Sequence, residues 1–514
     1  MAESTTAADE MKRSLTLTGI TVNAMALIAP GAFLWTTFQI QASQKGGATA
    51  SDMWTGLLCS LVLALLTAYS YSELARIYPD AGTGSSYYFA EAALLEKSNP
   101  AHRKFARFAK LSIGWISHLY YWIYPGIMVA FTATLFGYIY SSLFHHSLSY
   151  LPLAIIAVAF AFIAGAVAYR GISGSTMTSI IILVIQIVSL VGVSLWFIVY
   201  RIGHAHQAYA LANASKIVIP HSFINILYQS TIAILLLVGF ESVTALGAEA
   251  INPDKDIKRG VLLSLIIQGG FCYLLQYFAA NFAAGTRTLA AAKGTTAYGA
   301  AAIDGAPIGT MLKQTIGKGG TAVSVLVATT VLLALIGTTL ACLNAGVRVT
   351  YSMAKDKEMP ALLGLLHGEF ATPHAGIWIL VGVSAMLGVF GANPHQIDNL
   401  TQITLASNTG TFLVYGLTCT VAIVAFASRH DRHLVKHYFI PGLGALMNLA
   451  ELFGVIYIAV KGSGTAPGDA FKALGVVVLW CILGAVWVAL NPSGKHARDL
   501  HQERVETGKI PAAV

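Results

Sequence analysis

Charge is what this chain has least of. Of its 514 residues only 11% are Asp, Glu, Lys or Arg, against about 25% in an ordinary soluble domain. A water-soluble protein this poor in charge would lack the polar surface that keeps it dispersed. No Gly-x-x-x-x-Gly-Lys-Ser/Thr run is present, so the phosphate-cradling loop of nucleotide-driven machines is missing. Cysteine is scarce as well. Cys59, Cys272, Cys342, Cys419 and Cys481 all fall in apolar runs without metal-ligand spacing, and they read as small buried hydrophobes. The tight histidine pairs, His145-His146 and His204-x-His206, have no acidic neighbours. No metal site, cofactor or enzyme constellation is expected.

Hydrophobic residues, by contrast, make up 56% of the chain. No charged residue lies between Lys110 and Arg170, Arg259 and Arg287, Lys318 and Arg348, or Asp398 and Arg429. A helix needs about 20 apolar residues to cross a bilayer core, and in lipid each crossing must satisfy its own backbone hydrogen bonds. The chain is therefore expected to be an all-α polytopic membrane protein of about twelve spans. They lie near 17–41, 53–77, 112–143, 151–169, 175–200, 222–247, 260–285, 321–353, 374–392, 402–428, 438–460 and 471–490. The segment before Thr16 has no leader pattern, and the first apolar run reads as a span.

The basic residues alternate with the spans. Lys12 and Arg13, the cluster Lys97–Lys110, Arg170, Lys255 to Arg259, Lys355 and Lys357, Arg429 to Lys436, and the tail basics from Lys495 to Lys509 fall on one side. The positive-inside rule makes that side cytoplasmic and puts both termini there. The net charge of +8 then reflects topology and anionic lipid rather than nucleic acid. The stretch Lys97–Lys110, interrupted by Phe105 and Phe108, is expected as an amphipathic segment on the inner surface or a plain loop.

Two spans carry helix-breaking chemistry. Span one contains Ala29-Pro30-Gly31-Ala32, where proline removes a donor and glycine frees the backbone. Alone, this is equally a ligand-binding break or a packing kink. Span six contains Gly239-Phe240-Glu241. An ionised carboxylate at mid-membrane costs on the order of 3 kcal/mol on insertion scales, so Glu241 is expected to face a cavity, pair with a cation or carry a proton. Irregular points in spans one and six fit two five-span halves of inverted topology, 17–200 and 222–428, with two accessory spans at 438–490 and tails at 1–16 and 491–514.

Four segments now carry a resemblance. They are Ile28–Phe33; Tyr71-Ser-Glu73-Leu-Ala-Arg76 through Gly84; Gly239-Phe240-Glu241 followed by Asn252-Pro253; and Arg348–Asp356 followed by Pro360 and Thr372-Pro373. In order and spacing the chain resembles the amino acid–polyamine–organocation permeases, over nearly its whole length. The resemblance implies a secondary transporter of the bacterial inner membrane, importing amino acids by alternating access and coupled to protons rather than sodium. Import of a putrescine-like polyamine, or exchange, is the alternative. It implies that Ala29, Pro30, Gly31 and Ala32 line the substrate site, opposite Gly239, Phe240 as an aromatic gate, and Glu241. Asn408 in span ten is a further candidate, and so is Tyr121 among the span-three rings His118, Tyr120, Tyr121, Trp122 and Tyr124, which could form part of a substrate wall or equally serve as interfacial anchors or inter-helix packing. Some proton-coupled relatives carry a lysine in span five; the corresponding position here is Gln186, which leaves Glu241 and Gln186 as the coupling candidates. Glu451 in span eleven is expected to be structural or to lie at an oligomer interface, and Glu73 with Arg76 to form a gate or anchor. The implied partners are a small solute, protons and membrane lipid, and the chain could act as a monomer or a homodimer.

Overall fold

The computed structural model describes residues 15–28, 32–78, 85–95, 100–171, 176–207, 213–246, 250–284, 306–370, 372–394 and 397–490. Among them there is no β-strand, only an isolated bridge between Leu15 and Ala250. The protein is an all-α polytopic membrane protein. Among the described residues, ten helices are long and apolar enough to cross a membrane, and two apolar helices, Leu17–Ala26 and Phe223–Leu236, are shorter. The short pair occupies the positions of spans one and six.

Span one consists of helices Leu17–Ile28 and Ala32–Ser43. Span two is one helix, Met53–Ile77. Span three runs from Pro100 to Tyr121, loosens at Trp122 and Ile123, and continues from Tyr124 to Phe144 with Pro125 in its first turn. Proline tolerates that place because its missing amide hydrogen has no intrahelical partner there. Spans four and five are Tyr150–Tyr169 and Thr176–Gly203. In span seven a π-helical stretch, Leu265–Tyr273, separates Pro253–Ser264 from Leu274–Ala284. Spans eight to ten are Gly320–Lys355, His374–Gly391 and Ile397–Phe426. Span eleven is Ile440–Lys461 and span twelve Ala466–Leu490.

One expectation is corrected and one is narrowed. The basic stretch before Lys110 is not a separate surface segment, because from Pro100 onward it is the first part of the span-three helix. Phe105 and Phe108 are exposed on it, while Arg107 and Lys110 turn inward to ion pairs. Glu451, expected to be structural or at an oligomer interface, is packed inside the bundle. Its side chain is buried against spans two and six.

The core sits where spans one, two, three, six and ten meet. The first helix of span one packs on the second part of span six, and the second helix of span one on the first part. Glycines allow the closest approaches. At Gly56 of span two a Cβ would press on Gln229 and stand 3.1 Å from the Ser230 nitrogen of span six.

Candidate functional site

Span six is a helix only from Phe223 to Ala233. It tightens to a 3-10 turn over Ile234–Leu236, turns at residues 237–239 and resumes as a 3-10 segment, Phe240–Leu246. Gly239 has φ +119°, a conformation that side chains oppose and glycine accepts. The interruption frees backbone groups, and neighbouring spans supply partners. The Tyr124 hydroxyl donates to the Leu235 carbonyl at 3.0 Å. At the end of the first helix of span one, the Tyr273 hydroxyl donates to the Ile28 carbonyl at 2.9 Å and Thr338 to the Ala26 carbonyl at 3.0 Å. Such side-chain capping lets a non-helical backbone persist at membrane depth.

Glu241 lies just past Gly239 and is wholly buried. One carboxylate oxygen, Oε1, accepts from the hydroxyls of Tyr120 at 2.9 Å and Tyr121 at 3.4 Å. The other, Oε2, accepts from the Tyr415 hydroxyl at 2.7 Å and the Gly239 N–H at 3.1 Å. Four donors thus converge on a group that, when ionised, only accepts. No Lys, Arg or His among the described residues pairs with it. Around the carboxylate, Tyr71 meets Phe240 at 6.1 Å and Tyr415 at 5.9 Å edge to face, and Phe240 lies tilted 5.2 Å from Tyr415. A carboxylate inside an aromatic wall attracts cations twice, through its charge and through the ring faces.

Sequence comparison decides the family. The profile of the family described as amino acid permease matches residues 14–487. The chain belongs to the amino acid permease family. The permease is 25% identical over 490 residues to the low-affinity putrescine importer PlaP of Escherichia coli strain K12, covering 92% of this chain and 94% of that one. It is 25% identical over 503 residues to the branched-chain amino acid permease BcaP of Bacillus subtilis strain 168, covering 94% and 92%. The methylthioribose transporter of the same Bacillus strain is 22% identical over 399 residues, covering 75% and 76%.

In the permease, Gly239, Phe240, Glu241 and Tyr121 come together. Ala29, Pro30 and Gly31 lie outside the described residues, and Ala32 opens the second helix of span one. Asn408 makes no hydrogen bond to Glu241. Its Nδ2 donates at 2.7 Å to the Thr231 carbonyl, bracing span six just before it tightens. Gln186 is buried in span five, where its neighbours Leu183 and Ile187 pack with Val22 and Met25 of span one. No hydrogen bond joins it to Glu241, and its Nε2 has no partner among the described residues. Tyr120 and Tyr415 complete the Glu241 site; Tyr120 was among the span-three rings expected as a possible wall, and Tyr415 was missing from the sequence candidates. Tyr415 offered a signal, being the sole tyrosine of span ten, since a buried phenol usually seeks a partner.

Charged groups gather at the far end of span two. Glu73 binds Arg76 at 2.9 Å, pairs with Lys258 and approaches His437 at 3.6 Å, and Arg76 reaches Asp431 at 3.4 Å. Nearby in sequence, buried Lys110 bridges Glu91 at 2.8 Å and Asp356 at 2.5 Å, and Arg107 holds Glu358 through two bonds. Truncating one member of such a buried pair is costly because the other is left unpaired. These pairs tie span two to span seven and span three to the end of span eight. His118 is a packed histidine of the same region, bonded to the Gly114 carbonyl and to Thr350.

Proposed function

We propose that the permease imports amino acids across the bacterial inner membrane by alternating access, driven by the proton gradient, with both termini cytoplasmic. The observation that carries this is the Glu241 carboxylate, buried, without a basic partner among the described residues, and clasped by donors from three elements. The ammonium group of a substrate would take the place of one or more of these donors. Its carboxylate would lie at the amide end of the interruption in span one, where helix ends favour anions.

Coupling follows from the same hydrogen bonds. Tyr120 and Tyr121 belong to span three, Tyr415 to span ten and Gly239 to the break in span six. A proton on Glu241 turns an acceptor into a donor, so one hydroxyl must rotate away. The hold between spans three, six and ten then depends on whether Glu241 carries a proton, an ammonium or neither. Spans 17–200 and 222–428 act as the two repeats of opposite topology. With the basic loops inside, the Glu73 and Lys110 clusters close the cytoplasmic end.

A polyamine such as putrescine is the second reading. What favours it is the absence of a basic side chain beside Glu241 among the described residues, together with the surrounding Tyr71, Phe240 and Tyr415 rings. Uptake into liposomes separates the two readings. Alanine, leucine, phenylalanine, lysine and putrescine are offered under an imposed proton or sodium gradient. Saturable, proton-dependent uptake of amino acids is the expected result, and preference for putrescine supports the second reading. Failure of all five to accumulate would overturn both.

A further inference from the structure

Glu451 stands near the middle of the 22-residue helix of span eleven and is only 3% exposed. Its surroundings contrast with those of Glu241. One oxygen, Oε1, lies 2.6 Å from the Ser230 hydroxyl and 3.9 Å from the Cys59 thiol. The other, Oε2, has no partner among the described residues. No described basic residue pairs with it. A bare ionised oxygen in such a place carries a full desolvation cost with nothing to offset it.

The serine decides how the hydrogens run. Ser230 Oγ lies 3.2 Å from the Leu227 carbonyl as well as 2.6 Å from Glu451. A hydroxyl has one hydrogen to give. If Glu451 were ionised, Ser230 could serve only one of these two acceptors. If Glu451 bears a proton on Oε1, it donates to Ser230 Oγ, and Ser230 donates to Leu227. Both close contacts are then satisfied.

We propose that Glu451 is a second proton-binding site of the transport cycle, separate from the substrate site. Ser230 is its link to that cycle. It sits in the half-helix Phe223–Ala233 of the interrupted span six, beside Thr231, which Asn408 braces. Its carbonyl also accepts from Ser60 of span two at 3.0 Å. Movement of this half-helix separates Ser230 from span eleven and leaves the acid to water. The O–H bond forms with a proton from water and breaks by returning it to water, and no other reactant is needed.

Of the described titratable groups on the packed elements, Cys59 alone touches Glu451. Tyr228 lies by Gly462 at the helix end, and Tyr415 is engaged by Glu241. Cys419 meets Thr67, Glu73 and His437 pair with each other, Asp469 holds Gln402, and Cys481 is exposed.

The inference rests on the transport reading, and two measurements on the full chain in lipid test it. Infrared difference spectra of wild type against E451Q at neutral pH should contain a protonated-carboxyl stretch that shifts in S230A. Absence of that band would overturn the proposal whatever the substrate. Liposomes preloaded or driven with leucine and, separately, putrescine give the second test. E451Q should keep counterflow exchange while its pH-driven accumulation falls roughly tenfold per unit of pH gradient, the loss of one coupled proton. Accumulation equal to wild type would make Glu451 a fixed structural acid and sink its role in the cycle. Failure of the Glu241 reading shows separately, as an E241Q protein that still exchanges substrate normally.

Discussion

Replacing Glu241 by Gln keeps the shape of the central group and removes its charge. The Gly239 N–H cannot turn, so the amide oxygen must occupy the Oε2 place, accepting from Gly239 and Tyr415 as the carboxylate does. The amide nitrogen then faces the hydroxyls of Tyr120 and Tyr121, which rotate to accept from it. Every buried group keeps a partner, but charge-assisted bonds become neutral ones, at a cost of about 1–3 kcal/mol. A loss of that size lowers stability without abolishing folding. Binding suffers more. A substrate ammonium loses its counter-charge, and truncation of a buried charge pair costs about 2–5 kcal/mol, or roughly thirtyfold to several thousandfold in Kd. Scintillation-proximity binding on purified protein measures this directly, with thermal unfolding as the check on folding. Affinity within roughly threefold of wild type, with the pH dependence of uptake unchanged, would refute the assignment, since about 0.7 kcal/mol is too little for a lost charge partner.

Three further substitutions probe the surroundings. Tyr415→Phe keeps the ring against Tyr71 and Phe240 but deletes the donor at 2.7 Å. Losing that donor to the buried carboxylate should destabilise the protein by about 1.5–3 kcal/mol, read as a lower thermal midpoint in detergent; an unmoved midpoint contradicts this. Asn408→Ala leaves the Thr231 carbonyl without its brace and should destabilise the protein by about 1–2 kcal/mol, read as a lower thermal midpoint in detergent. Gly56→Ala places a methyl against Gln229 and the Ser230 backbone. Overpacking costs about 1–3 kcal/mol, so a thermal midpoint equal to wild type would show that spans two and six are not held this tightly.

How far these features could be read beforehand depended on how local their cause is. Span existence was legible because a charge-free run such as that between Lys318 and Arg348 has one stable state in lipid, the helix Gly320–Lys355. Gly239 and Glu241 stood out because each breaks a local rule, one of backbone freedom and one of burial. Tyr415 did not, since what makes it matter is a partner far away in sequence, and tyrosine is common in apolar spans. Asn408 was found for its polarity, but its partner is a backbone carbonyl of span six rather than the central acid. The π-helical stretch of span seven left no mark, because Leu265–Tyr273 has an apolar sequence that an α-helix would equally accept. Glu451 was conspicuous as a charge, yet which way it faced depended on the packing of span eleven against spans two and six. Hydropathy does not encode that packing.

The most direct test of the central claim is a density map of the protein with its transported solute bound in lipid. The account predicts the solute between spans one and six, its ammonium nitrogen within roughly 3 Å of the Glu241 carboxylate, with at least one of the Tyr120, Tyr121 and Tyr415 hydroxyls displaced. A solute bound elsewhere, with all four donors still on Glu241, would contradict it.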